Sequence, residues 1–157
     1  RPAKTGGVSQ VISFYTLHNE LVRKHKEIVP RLYQPFWFDR QKEYAPGDPA
    51  VLSAPIFSST AGRLKVRLGL YQAAGGYTII NEPLDVAGVA AIDTVKKLFA
   101  DEALRFEFVM QRGQIQYVNN LETGHRRTAF EDYAEPAKKR LMIRLWLRNA
   151  GGLRYHG

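Results

Sequence analysis

The chain has no cysteine. That absence removes disulfides, zinc-thiolate sites, iron–sulfur clusters and thiol nucleophiles together, and it fits a reducing compartment. Apolar runs are short as well: Val86 to Ile92 is among the longest, against the about 18 residues that a membrane span needs. No charged-then-apolar pattern opens the chain, so no secretory signal is read there. The expected setting is cytoplasmic, without a membrane partner. Glycine pairs at 6–7, 75–76 and 151–152 match neither Gly-x-Gly-x-x-Gly nor Gly-Lys-Ser/Thr, which leaves a nucleotide cradle unsupported. A Gly-x-Ser-x-Gly nucleophile elbow is missing too. Acidic charge is scarce, with 15 Asp and Glu against 23 Lys and Arg, a net +8. Such an excess attracts anions, from nucleic acid to small carboxylates, sulfonates and phosphates, without choosing among them.

What remains is an ordinary globular composition: 157 residues, 45% hydrophobic and 24% charged. That is the size of one domain. The chain starts at Arg1 and not at methionine, and Gly6-Gly7 follows almost at once, so residues 1–157 read as one domain, and an incomplete one. Residues 8–13 favour a strand. Tyr15, His18, Leu21, Val22 and His25 then fall at helical spacing, and Pro30 and Pro35 end that helix. Residues 35–38 read as a short strand before a loop to residue 50. Val51 to Phe57 and Arg63 to Leu70 read as an antiparallel pair across Ala61-Gly62, followed by a glycine-rich loop at 73–76. Val89, Ile92, Val95 and Phe99 recur every three or four residues and predict the clearest helix, Asp85 to Phe99. Leu104 to Met110 and Gln114 to Asn119 read as two strands around Arg112-Gly113. Further strands are expected over Gly124 to Phe130 and Arg140 to Leu147. Strands outnumber helices and most can join by antiparallel turns, so the expected fold is mainly β with flanking helices, a sandwich or open barrel.

Two segments carry candidate chemistry. As a strand, the run that starts at Arg140 sends Leu141, Ile143, Leu145 and Leu147 to a core face and Arg140, Met142, Arg144, Trp146 and Arg148, the last of which lies outside the described residues, to the other. That second face suits either a pocket wall for an anion beside an apolar ligand or an exposed basic edge; periodicity weighs them equally. His125 lies 15 residues before Arg140, close enough for a return of the chain to bring imidazole and guanidinium together, although a lone histidine is more often structural. His18-Asn19-Glu20 has the His-x-carboxylate form of an iron ligand pair. On a helix, however, residues two apart point about 200° apart, which argues against joint chelation.

The tract 114–132, with His125-Arg-Arg-Thr-Ala-Phe-Glu-Asp132 at its end, and Lys139-Arg140-Leu-Met-Ile-Arg144-Leu-Trp146-Leu closely resemble the C-terminal part of the taurine dioxygenase (TauD/TfdA) family. The resemblance extends upstream through residues 1–7 and 35–39. It implies a double-stranded β-helix (jelly roll) and an iron(II)- and 2-oxoglutarate-dependent dioxygenase that takes O₂ and a small, anionic organic substrate. By that resemblance His125 matches the distal iron-ligating histidine and Arg140 the arginine that holds the far carboxylate of 2-oxoglutarate. Arg144 matches a position that reaches the substrate anion or supports the co-substrate, and Ser9 a hydroxyl residue, often threonine, that also bonds 2-oxoglutarate. The family's His-x-Asp pair stands shortly upstream of the Gly-Gly segment, where this chain has only five residues before Gly6. The N-terminal part of the domain is therefore expected to be missing, and this stretch alone to bind iron(II) weakly without turnover. Two other readings stay open: a basic β-rich nucleic-acid-binding module, weakened by scattered basic residues without a stacking-aromatic signature, and a degenerate, non-enzymatic relative. Nucleic acid is not the expected partner, and a homo-oligomer is left open.

Overall fold

The computed structural model describes residues 1–147. In chain order it contains β1 (Thr5–Gly6), β2 (Ser9–Ser13), α1 (Phe14–Lys24), α2 (Val29–Leu32), β3 (Pro35–Asp39), β4 (Val51–Pro55), β5 (Phe57–Thr60), β6 (Arg63–Val66), α3 (Leu70–Ile80), α4 (Val86–Ala100), β7 (Phe106–Phe108), β8 (Thr123–Arg127) and β9 (Phe130–Glu131). The strands form a three-stranded sheet in the order β7-β2-β8 and the pairs β1-β9, β3-β4 and β5-β6. The protein is β-rich with helices, and no closed barrel forms among the described residues. The chain divides into two compact units.

The larger unit comprises Ile12–Arg105 and Asn119–Gly124. Its helices follow from caps and apolar spacing. Ser13 caps α1 by accepting the Thr16 N–H, Arg23 and Lys24 occupy the last turn, and Phe14, Leu17 and Leu21 are buried at i, i+3 and i+7. Asp85 caps α4 by accepting the Gly88 N–H at 2.7 Å, and Ala91, Ile92, Val95, Leu98 and Phe99 face the core. Val89, counted on that stripe from the sequence, is exposed. The same Asp85 pairs with Arg31 at 2.7 Å, and the Arg31 guanidinium lies 3.9 Å from the centre of the Phe36 ring. One side chain thus caps α4 and fixes α2 beside it. Phe36, Phe38, Ile56 and Phe57 complete the core.

Two expectations change in this unit. Val51–Pro55 pairs with β3, from Asp39 opposite Val51 to Pro35 opposite Pro55, while the hairpin across Ala61-Gly62 joins β5 to β6. The segment 73–76 is helical, within α3. A Cβ on Gly76 would stand 2.4 Å from the Trp37 carbonyl oxygen, so glycine lets the helix lie against β3. The glycines mark close packing of helix on strand and not a turn.

The smaller unit comprises Arg1–Val11, Phe106–Val118 and the chain from His125 onward. Here β7 pairs with β2 so that Ser9 faces Phe108, Gln10 faces Glu107 and Val11 faces Phe106. Gly6 and Gly7 both have φ near +70°, and a Cβ on Gly6 would meet the Ala129 carbonyl oxygen at 2.3 Å, which the pairing of β1 with β9 forbids to any other residue. Two expected strands are not formed. Gln114 to Asn119 has no strand partner, and Ile115 and Tyr117 are exposed. Arg140 to Leu147 is also irregular. Leu141, Ile143, Leu145 and Leu147, expected as a core face, are exposed at 54%, 85%, 77% and 75%. Alternation produces a strand only where a neighbouring ladder accepts it, and no described strand pairs with this segment. Its start is tied instead by Leu141 N–H to the Arg1 carbonyl at 3.0 Å.

Candidate functional site

The smaller unit holds all four residues that the sequence singled out. Its sheet orders them by rows. Backbone bonds from Thr128 N–H to the Val8 carbonyl (3.0 Å) and from Gly7 N–H to the Ala129 carbonyl (3.1 Å) fix an antiparallel register between β2 and β8. Continued along the strands, that register puts Ser9 opposite Arg127, Gln10 opposite Arg126 and Val11 opposite His125. The side chains agree. The Gln10 amide donates to Glu107 Oε1 at 2.6 Å and accepts from Arg126 Nε, so Glu107, Gln10 and Arg126 form one polar row across three strands. Gln10 is the one buried polar side chain among the described residues, and an anion on one side and a cation on the other fix its amide orientation.

Side chains alternate across a sheet, so the opposite face carries the rows Phe106–Val11–His125 and Phe108–Ser9–Arg127. Ser9 and His125 therefore share a face on adjacent strands. His125 keeps access to solvent. Partial desolvation lowers its pKa from the ordinary imidazole value, and the nearby Arg144 guanidinium lowers it further, so the neutral, ligand-competent ring is favoured. Arg144 itself stacks on Trp146, its guanidinium carbon 4.3 Å from the ring centre. Arg144 thus acts on His125 through its charge, without the strand that was expected to carry it.

Arg140 has a different setting. Its backbone N–H donates to Asp132 Oδ1 at 2.7 Å, and its guanidinium carbon lies 5.4 Å from the centre of the Phe130 ring. Its Nε is buried and has no hydrogen-bond partner. A Cβ on Gly7 would stand 3.5 Å from that nitrogen, so the glycine keeps the space beside it open. A buried N–H without an acceptor is costly, and here it is a charged one.

The internal His18-Asn19-Glu20 alternative falls in the larger unit and is otherwise engaged. His18 Nε2 is 2.8 Å from the Tyr33 hydroxyl, and its ring meets Phe57 edge-on at 5.1 Å. Glu20 is held by Arg23 and Lys24, which lower its pKa to about 2. Among the described residues no three His, Cys, Asp or Glu side chains converge as a metal site.

The polar row through Gln10 was missed in the sequence. A signal was present: Gln10 shares its strand face with Ile12, and a polar residue alternating with a core residue needs partners.

Residues 1–146 match the model of the family described as taurine catabolism dioxygenase TauD, TfdA family. Among curated proteins the chain is similar to an FR-33289 synthase of Streptomyces rubellomurinus, 27% identical over 98% of this chain and 46% of that protein. It is also similar to a taurine hydroxylase-like protein SAT17 of Stachybotrys chartarum, 25% identical over 91% of this chain and 37% of that protein. The chain spans less than half the length of these relatives.

Proposed function

The chain belongs to the TauD, TfdA family, and on that premise we propose that it forms the distal, C-terminal part of an iron(II)- and 2-oxoglutarate-dependent dioxygenase with a jelly-roll core, acting on a small organic anion. The family and the named relatives support a dioxygenase-type function. The observation that carries the finer reading is the orphaned Arg140 Nε. A protein that buries a guanidinium N–H with no acceptor, sets it near an aromatic ring and keeps a glycine beside it has built half of a charge-assisted pair. The missing half is a carboxylate of the co-substrate. Ser9, on the sheet face it shares with His125, supplies a hydroxyl donor to the same ligand.

His125 is assigned as one iron ligand, and its lowered pKa keeps the ring free to coordinate near neutral pH. The described residues offer no converging second and third ligand, so a complete iron site does not fit on them and no step is routed through the metal. What these residues do is bind and orient. Arg140 grips the co-substrate, Ser9 steadies it, and Arg144 beside His125 offers positive charge to the substrate anion.

Titration of 2-oxoglutarate into the protein and into its Arg140→Gln variant tests this. Loss of a charge-assisted hydrogen bond in a buried setting predicts about 10- to 100-fold weaker binding. Equal affinity in both proteins would overturn the assignment.

A further inference from the structure

The sheet face that carries Ser9 and His125 has two unlike edges. On β8 stand His125 and Arg127. On β7 stand Phe106 and Phe108, whose ring centres lie 5.7 Å apart and whose planes tilt by 33°. Phe106 is 69% exposed on the edge strand β7, opposite Val11. An exposed phenylalanine with a half-buried one and a half-buried valine beside it is costly to leave in water unless something covers it. The two edges are two strand spacings apart, about 10 Å. Among the described residues the smaller unit also holds 9 basic and 4 acidic side chains, against 12 and 11 in the larger one, so whatever covers this face meets a cationic surround.

We propose that Phe106 and Phe108 are specificity-determining residues that hold the apolar part of an amphipathic organic anion. Its charged end is drawn to the β8 side of the same face, where Arg127 stands opposite Ser9, its guanidinium donating to the Thr128 carbonyl at 2.7 Å and lying 4.2 Å from the centre of the Phe130 ring. This rests on the reading of the face as the substrate side of a dioxygenase site and narrows the substrate class. The substrate carries a hydrocarbon portion of several carbons and is not a minimal anion such as acetate. The hydrocarbon bond presented to the His125 region is then chosen by how far the tail reaches along the two rings.

The test uses straight-chain alkanoates of two to ten carbons as probes, titrated into the protein with 2-oxoglutarate present. Affinity is expected to rise about two- to fourfold per added methylene until the tail spans the ring pair, as for partly buried CH₂ groups. Phe106→Ala and Phe108→Ala flatten that slope while changing acetate binding less than twofold, and Arg127→Gln weakens every alkanoate by a similar factor. The n-alkanols of matching length bind at least tenfold more weakly than the alkanoates. A length dependence unchanged in both phenylalanine variants, or no length dependence in the unsubstituted protein, would overturn the proposal; so would alkanols that bind as well as alkanoates. The affinity for 2-oxoglutarate is read in the same titrations. Its loss in the unsubstituted protein, with the phenylalanine-dependent slope intact, would remove the dioxygenase reading and leave the binding face standing.

Discussion

Among the described residues, all sixteen buried apolar side chains lie in the larger unit, whereas the buried residues of the smaller one are Gly7 and Gln10, a glycine and an amide. Charge divides the other way. Among the described residues the larger unit is close to neutral, with 12 basic and 11 acidic side chains, and the smaller one is basic, with 9 and 4. One unit removes hydrocarbon from water, which stabilises a fold roughly in proportion to area. The other holds a buried guanidinium nitrogen without an acceptor, at Arg140, and an exposed aromatic ring, at Phe106, which costs stability and favours a ligand. The two histidines show the contrast at the scale of one residue. His18 in the larger unit is packed on Phe57 and bonded to Tyr33, while His125 in the smaller one faces solvent beside a cation.

Substitutions that separate stability from binding will sharpen or break this contrast. The largest effect on stability is expected at Phe57 or Phe36, both fully buried. Truncation to alanine should cost about 3–5 kcal/mol in denaturant unfolding. Gly76→Ala should follow, at about 1–3 kcal/mol, because the new methyl collides with the Trp37 carbonyl and α3 must move off β3. Asp85→Ala removes both the cap of α4 and the partner of Arg31, and a loss of about 1–2 kcal/mol is expected from the same measurement. Arg144→Gln should leave unfolding within about 0.5 kcal/mol of the parent, since its side chain is exposed, while raising the pKa of His125 as read by NMR titration. A core-sized loss at Arg144 would break the division between the units.

The smallest effect concerns pH. Both His18 and His125 have pKa values lowered by burial. In acid the unfolded chain takes up protons at the ordinary histidine value, about 6.5, before the folded chain does. Stability therefore falls as pH drops through that value, and levels off only below the folded pKa values. Replacing His18 by phenylalanine should flatten that slope between pH 7.5 and 5.5. A steeper slope would contradict the assigned direction.

Much of the larger unit was legible because its signals are local. Ser13 and Asp85 are caps, Leu17 and Leu21 keep helical spacing, and Pro-Phe-Trp-Phe marks β3. Pairing was less so: nothing in Val51 to Pro55 says that its partner is β3, because strand partners are chosen by tertiary packing. Gly75 and Gly76 misled because a glycine pair that permits close approach looks the same as one that makes a turn. In the smaller unit, the period-2 pattern of Arg140 to Leu147 was correctly seen, but a pattern cannot supply the neighbouring strand. His125, Arg140, Arg144 and Ser9 were singled out by family resemblance, and periodicity alone left Arg140 and Arg144 undecided between pocket and edge. The orphaned nitrogen of Arg140 and the Gln10 row became visible only in three dimensions.

The most direct test of the division between a stabilising unit and a binding unit reads both quantities in one variant, Arg140→Gln. Unfolding free energy and 2-oxoglutarate affinity are measured on the same preparation. Because the substitution removes a buried donor that lacks a partner, stability should stay level or rise slightly, by less than about 1 kcal/mol, while affinity falls at least tenfold. Unchanged affinity together with a loss of several kcal/mol in stability would contradict the account, because Arg140 would then be a structural residue and not half of a ligand site.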